Sequence, residues 1–222
     1  MTTEIDNAIT LADVAIASPR TAWDLPQACV CCVVGINVIA MMTNMPSSRE
    51  QLFRVGEARN GWFRTADATE AGVPRQQLAR YVENGVLRRS AHGVYRFRDF
   101  PAKPFEDVVE ACLWAGADAV ASHDTALAVY GIGEVTPPVT HITVTRRLRK
   151  RRDRVIVHVR PLVPKEVTVR NGVPLTTAER TLRDVAADHP AQVVREFIDE
   201  AEASGLISRR VAETIRLEVG QG

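Results

Sequence analysis

The sequence lacks a disulfide framework, a zinc-binding motif and a membrane-spanning run. It has four Cys in 222 residues, and neither a C-x-x-C pair nor a Cys/His zinc spacing occurs. Reduced cysteines in a cytoplasmic protein are therefore expected. The apolar run at residues 28–42 has 15 residues, fewer than the roughly 20 that a spanning helix needs. No basic cluster precedes it, and it lies too far from residue 1 for a signal peptide. We expect no membrane association.

Motifs of catalysis are also missing. Neither G-x-S-x-G nor the phosphate-binding G-x-x-x-x-G-K is present. Ser122-His123-Asp124 has the residue types of a hydrolytic triad, but adjacent residues are not expected to adopt its geometry. The histidines are scattered without metal spacing, at positions 92, 123, 141, 158 and 189. We expect a protein that is not an enzyme and that has no cofactor and no metal.

Positive charge is present, but it is local. The net charge of the chain is +1. Residues 1–74 carry five basic and eight acidic residues, and residues 155–222 carry nine and ten. The excess of positive charge therefore lies between residues 75 and 154, where it predicts a local binding surface.

The first part of this basic region has the pattern of a helix-turn-helix. Thr65 is a candidate N-cap for a helix over residues 66–71, and Gly72 suits the left-handed turn that ends it. Pro74 suits the first turn of a second helix over residues 74–84. That helix places Leu78 on its apolar face, so that the opposite side and its flanks carry the polar candidates for base contacts, namely Arg75, Gln76, Gln77 and Arg80.

A basic β-hairpin follows the second helix. Asn84-Gly85 ends the helix, and residues 86–87 and 94–97 are predicted strands joined by residues 88–93. Six Arg and two acidic residues fall between residues 75 and 100. The hairpin is therefore predicted to act as a wing that contacts phosphates or an adjacent groove, through Arg88, Arg89, His92 and Arg96. The alternative is a winged helix that serves only dimerisation or scaffolding.

A second basic run lies farther along the chain, between predicted strands over residues 141–145 and 155–159. It contains seven basic residues and one Asp, and it is predicted to be either a flexible loop or a hairpin turn. Its role stays open between DNA, an acidic protein partner and simple solubilisation. The candidates are Arg146, Arg147, Arg149, Lys150, Arg151, Arg152 and Arg154.

These patterns predict an α+β protein with an N-terminal winged helix-turn-helix domain and a mixed helical and antiparallel-sheet C-terminal domain. Residues 1–47 are predicted to be an N-terminal appendage of uncertain order, or alternatively a strand added to a domain. A helix over residues 49–59 opens the first domain, residues 48–101. Pro101 and Pro104 mark the boundary, and the second domain covers residues 102–222. It is predicted to contain helices over 105–115, 122–130, 176–187, 191–204 and 208–219, and a hairpin over 167–175.

Three motifs of the chain form a recognisable set. They are G-x-x-x-x-x-x-A-x-x-x-G-V-P-x-x-x-L-x-R-x-V-x-x-G-V-L-x-R from Gly61 to Arg89, H-G-V-Y-R from His92, and T-T-A-E-R-T-L-R-D from Thr176 to Asp184. In these motifs the chain resembles the AbiEi family of antitoxins of type IV toxin–antitoxin systems. The resemblance covers most of the chain from about Arg49 onward.

The resemblance implies an antitoxin that represses its own operon by binding inverted repeats in double-stranded promoter DNA. It also implies that the C-terminal domain counteracts a nucleotidyltransferase-type toxin, directly or functionally. The DNA-contacting elements of the family correspond to Arg75, Gln76, Gln77 and Arg80, and to the wing residues Arg88, Arg89 and His92. The alternative is an antitoxin that neutralises its toxin by direct contact and no longer binds specific DNA.

Overall fold

The computed structural model describes residues 47–220. The predicted appendage, apart from Ser47, lies outside the described residues, as does the apolar run at residues 28–42. Among residues 47–220, no helix has both the length and the apolar character needed to cross a membrane.

The first part of the described chain is a winged helix-turn-helix. Its elements are α1 (Ser48–Glu57), β1 (Trp62–Arg64), α2 (Thr65–Glu70), α3 (Arg75–Glu83), β2 (Leu87–Ala91) and β3 (Val94–Phe97). The strands form an antiparallel sheet in the order β1-β3-β2. The predicted helices and hairpin are confirmed, and β1 adds a third strand that the sequence had not predicted.

Local capping and turn residues explain these helices. Ser47 caps α1, because its Oγ accepts a hydrogen bond from the Glu50 amide while the Glu50 carboxylate accepts one from the Ser47 amide. Gly72, at φ 81°, makes the turn between α2 and α3. Fully buried side chains from the helices and the sheet then form one hydrophobic cluster beneath them, including Leu52, Phe63, Leu78 and Leu87.

The second part of the described chain is a five-stranded sheet with five helices. Its elements are α4 (Glu106–Ala115), β4 (Val120–Ala121), α5 (His123–Tyr130), β5 (Thr140–Val144), β6 (Val155–Val159), a 3-10 turn (Pro164–Glu166), β7 (Val167–Arg170), β8 (Val173–Thr176), α6 (Ala178–Val185), α7 (Ala191–Ala203) and α8 (Arg209–Gly220). The predicted α+β class is confirmed.

The second sheet is mixed, however, rather than purely antiparallel. Its strand order is β6-β5-β4-β8-β7. Strands β4/β5 and β7/β8 pair antiparallel, whereas β5/β6 and β4/β8 pair parallel. The basic run therefore connects two parallel strands, and the hairpin-turn interpretation of it was wrong, because a tight hairpin can join only antiparallel strands.

The two parts share a hydrophobic cluster. Trp62 and Val94 of the first sheet pack with Val109 and Cys112 of α4 and with Val173 of β8. Burial raises the pKa of the Cys112 thiol to about 12, so this cysteine is a packed side chain rather than a reactive thiolate. The cluster positions the winged helix against the sheet that carries the second basic run.

The turn after α5 offers a test of packing. Gly131 and Gly133 adopt φ values of 76° and 71°. A Cβ at Gly131 would meet nothing within 4 Å, whereas one at Gly133 would overlap the ring of Phe197 and lie 2.7 Å from its Cδ1. Phe197 is 5% exposed within the helical cluster and has little room to move.

We therefore expect Gly133→Ala to lower the free energy of unfolding by about 1–3 kcal/mol more than Gly131→Ala does. Both substitutions carry a similar cost of left-handed backbone, about 1 kcal/mol, so their difference isolates the clash with Phe197. Urea denaturation of both variants measures it. Equal destabilisation would contradict the packing described for this turn.

Candidate nucleic-acid interface

Helix α3 presents its polar side outward. Leu78 is fully buried in the cluster below, and Arg75, Gln76 and Arg80 are exposed. Gln77 is half-buried, and its Nε2 donates to the Tyr81 hydroxyl at 3.1 Å. Since Leu78 fixes the rotation of the helix, the exposed guanidinium and amide groups are available to a ligand, and Gln77 lies at the margin of this surface.

More of the wing lies in a regular strand than its sequence predicted. Arg88 and Arg89 lie within β2, which leaves His92-Gly93 as the turn. The Arg89 Nη2 lies 3.2 Å from the His92 Nδ1, and the Arg88 guanidinium lies 5.7 Å from the centre of the Trp62 ring. Exposed cationic side chains therefore stand on a strand of fixed register rather than on a loose loop.

Arg96 was predicted to contact DNA, and the structure corrects this prediction. Arg96 is only 8% exposed. Its guanidinium donates to the carbonyls of Phe97 and Phe100 at 3.0 Å and to Glu106 Oε1 at 2.5 Å. Strand alternation gives the reason, since Arg96 pairs with Trp62 across the sheet and faces the protein. Arg96 joins the wing to the start of α4.

Three residues anchor the second basic run to the protein. The Lys150 ammonium donates to the Trp114 carbonyl and lies 4.9 Å from the centre of the Trp114 ring. Arg152 pairs with Glu110 at 2.7 Å, and the Arg154 Nη2 donates to the Pro138 carbonyl at 3.1 Å. Burial lowers the pKa of Lys150.

The remaining cations of this run are exposed. Within residues 47–220, no ion pair or side-chain hydrogen bond involves Arg146, Arg147, Arg149 or Arg151. Anchored residues thus hold the run in place while four guanidinium groups face solvent. We call residues 146–154 the basic loop.

One groove joins α3, the wing and the basic loop. It has a volume of about 410 Å³ and is lined by Arg75, Arg89, His92 and Lys150, among others. Arg64, Tyr95 and Trp114 also line it, and sequence reasoning had not selected them. No local pattern could have done so, because the groove brings together segments that lie far apart in the chain.

The segment from Thr176 to Asp184 makes contacts inside the protein. Helix α6 begins two residues later than predicted, and its N-cap is Thr177, whose Oγ1 accepts a hydrogen bond from the Arg180 amide. Arg180 pairs with Asp184 at 2.9 Å and with Glu166 at 3.1 Å. These contacts give the motif a structural role.

Ser122 and His123 interact, although adjacent residues were not expected to cooperate. The His123 Nδ1 lies 3.0 Å from the Ser122 Oγ. However, Ser122 is fully buried, and Asp124 bonds to His189 at 2.7 Å. A hydrolytic triad needs an accessible hydroxyl, and the Ser122 hydroxyl is buried.

The expectation that the histidines are scattered was wrong for three of them. The nearest ring nitrogens of His123, His141 and His158 all lie within 4.8 Å of one another. Two of these residues come from paired strands and one from a helix, so their sequence spacing gave no signal.

Comparison with known proteins supports the predicted resemblance. Residues 50–98 match the model of the family described as "Transcriptional regulator, AbiEi antitoxin". No curated protein matches the sequence. Among solved structures, the chain is similar to the RV2827C protein from Mycobacterium tuberculosis, with 16% identity, a TM-score of 0.44 and coverage of 78% of this chain and 72% of that one. Residues 50–98 are therefore similar to the AbiEi antitoxin family of transcriptional regulators.

Proposed function

We propose that the protein is a DNA-binding antitoxin that represses its own operon. In this proposal α3 enters the major groove of inverted repeats in the promoter, and the wing contacts the flanking backbone. Residues 102–222 counteract a nucleotidyltransferase-type toxin in the cytoplasm. The proposal assigns no catalytic step to the protein.

The shared groove is the observation that carries the proposal. It places Arg75 of α3 beside Arg89 and His92 of the wing, and the exposed Gln76 and Arg80 lie on the same helix as Arg75. Gln can pair with adenine and Arg with guanine in the major groove, while the wing cations suit phosphates.

We also propose that the basic loop contacts the same DNA. Its Lys150 lines the groove together with Arg75 and Arg89, so a duplex seated on α3 would pass near the exposed arginines. Each phosphate that the loop neutralises would release counterions and steepen the dependence of binding on salt.

A triple substitution tests this role of the basic loop. Replacing Arg147, Arg149 and Arg151 by Gln is expected to weaken binding to all DNA sequences and to reduce the slope of log affinity against log salt by about one unit for each lost phosphate contact. Fluorescence anisotropy with the upstream duplex, measured across a salt series, gives this slope.

The matched control replaces the exposed Arg195, Arg209 and Arg210 of the C-terminal segment by Gln. It removes the same charge and is expected to leave the slope near that of the wild type. If both triple variants reduce the slope equally, the loop has no special position on DNA. If the loop variant binds DNA normally but fails to neutralise the toxin, the loop belongs to a protein interface.

A further inference from the structure

Three histidines converge on one face of the second sheet. His141 on β5 and His158 on β6 belong to parallel strands in which His158 pairs with Thr143. Since side chains alternate along a strand, His141 and His158 lie on the same face. His123, the first residue of α5, stacks on His158 with a distance of 3.7 Å between ring centres.

The spacing of the nitrogens suits a tetrahedral metal ion. His141 Nδ1 and His158 Nε2 are 3.0 Å apart. Two nitrogens bound to one zinc ion at about 2.0–2.1 Å stand roughly 3.3 Å from each other. The third ring lies close enough that rotation of His123 brings its nitrogen to the same centre, since all three ligand atoms already lie within 4.8 Å of one another.

A fourth ligand is available at the open side of the cluster. The Asp188 carboxylate lies 4.0 Å from the His123 Nε2, and its side chain is 53% exposed while that of His123 is 9% exposed. Asp188 is therefore a partly exposed carboxylate beside His123, and a change of its side-chain rotamer would bring it to an ion held by the three histidines.

Hydrogen bonds around His123 favour the tautomer that a metal binds. Thr143 Oγ1 donates to the Ser122 Oγ at 2.8 Å, and the Ser122 Oγ is the partner of the His123 Nδ1 at 3.0 Å. When Nδ1–H donates to this hydroxyl, Nε2 is unprotonated and carries the lone pair that a metal binds. His123 also has a φ of 50°, a backbone conformation that costs energy and is common at functional sites.

The three imidazoles are held in the neutral form. Burial lowers the pKa of His123 to about 4, and it also lowers the pKa of His141 and His158. Neutral imidazole is the form that binds metals. The carboxylates of Asp124, Asp184 and Asp188 surround the cluster, and Asp184 Oδ2 is a buried oxygen without a hydrogen-bond partner among residues 47–220.

We propose that His123, His141 and His158 bind one zinc ion, with Asp188 as the fourth ligand. Three imidazoles and a carboxylate form a donor set that suits zinc and related first-row ions. The ion would join β5, β6 and α5. It would also fix the two strands from which the basic loop emerges. This proposal does not depend on the proposed function of the winged helix.

The test uses the full chain with Cys29, Cys31 and Cys32 replaced by Ser, because thiolates also bind zinc. After removal of metal by a chelator, the protein is titrated with zinc in competition with a metal-sensitive dye. We expect one zinc ion per chain with a Kd below about 1 µM. At a hundredfold excess over Kd, zinc should raise the Tm by about 5–10 °C.

Variants assign the ligands. His158→Gln is expected to abolish the tight site, and Asp188→Asn, which changes a half-exposed side chain, to weaken it by at least about tenfold. His92→Gln, at the exposed wing histidine, is expected to keep one zinc ion per chain. Cobalt loaded in place of zinc should give the intense visible absorption of a tetrahedral complex with nitrogen and oxygen ligands.

The metal-free Tm of each variant shows whether it still folds. Less than half an equivalent of zinc on the folded parent protein would overturn the proposal. Equal zinc affinity in the parent, His158→Gln and Asp188→Asn would overturn it as well, because the ion would then be bound elsewhere.

Discussion

Arg80→Ala is expected to weaken binding to the upstream DNA by about 5- to 150-fold, while binding to unrelated DNA changes much less. The reason is that Arg80 is exposed on α3, and a bidentate contact between an arginine and a guanine contributes about 1–3 kcal/mol of discrimination. Fluorescence anisotropy with both duplexes at physiological salt measures the two effects. The variant should fold normally, since alanine is a strong helix former.

Arg195→Ala is the matched control, because it removes an exposed arginine from α7. We expect wild-type affinity for both duplexes. Co-expression with the toxin adds a second readout, in which Arg80→Ala should still protect growth because the proposed antitoxin activity lies in residues 102–222. If Arg80→Ala bound the promoter with unchanged affinity, α3 would not be the helix that contacts the bases.

Arg96→Gln is expected to lower the free energy of unfolding by about 3 kcal/mol, which corresponds to a loss of about 6–12 °C in Tm for a chain of this size. Arg96 is almost buried and holds Glu106 at 2.5 Å. Removal of one partner leaves the other as an uncompensated charge away from water. Thermal unfolding followed by circular dichroism measures the loss.

The neighbouring Arg98→Gln supplies the comparison. Arg98 is exposed, so the same change of charge should alter the free energy of unfolding by no more than about 0.5 kcal/mol. If Arg96→Gln were as stable as Arg98→Gln but lost affinity for DNA, the original assignment of Arg96 as a DNA contact would be restored.

The winged helix could be predicted because its signals are local. Ser47 caps α1 through its side-chain hydroxyl, and Gly72 turns the chain through its positive φ. Leu78 sets the buried side of α3. The hairpin at Asn171-Gly172 is likewise confirmed, with both residues at positive φ. In each case, residues a few positions apart contain the information.

The rest depends on contacts between distant residues. The sequences VIVHV and HITVT predict two strands but do not predict that these strands pair parallel. Only the parallel pairing brings His158 beside His141. The groove likewise needs Lys150 to lie against Trp114. The prediction for Arg96 failed for the converse reason. Its positive charge suggested a surface contact, but strand alternation turns its guanidinium inward.

The central claim is that α3 and the wing bind the protein's own promoter selectively. The most direct test is a competition experiment, in which the labelled upstream duplex bound to the full chain is displaced at physiological salt by either unlabelled upstream DNA or a shuffled duplex of the same composition. The account predicts that the upstream duplex competes at least about a thousandfold better. Equal competition by the two duplexes would contradict it, and the protein would then act through its partner without specific binding to DNA.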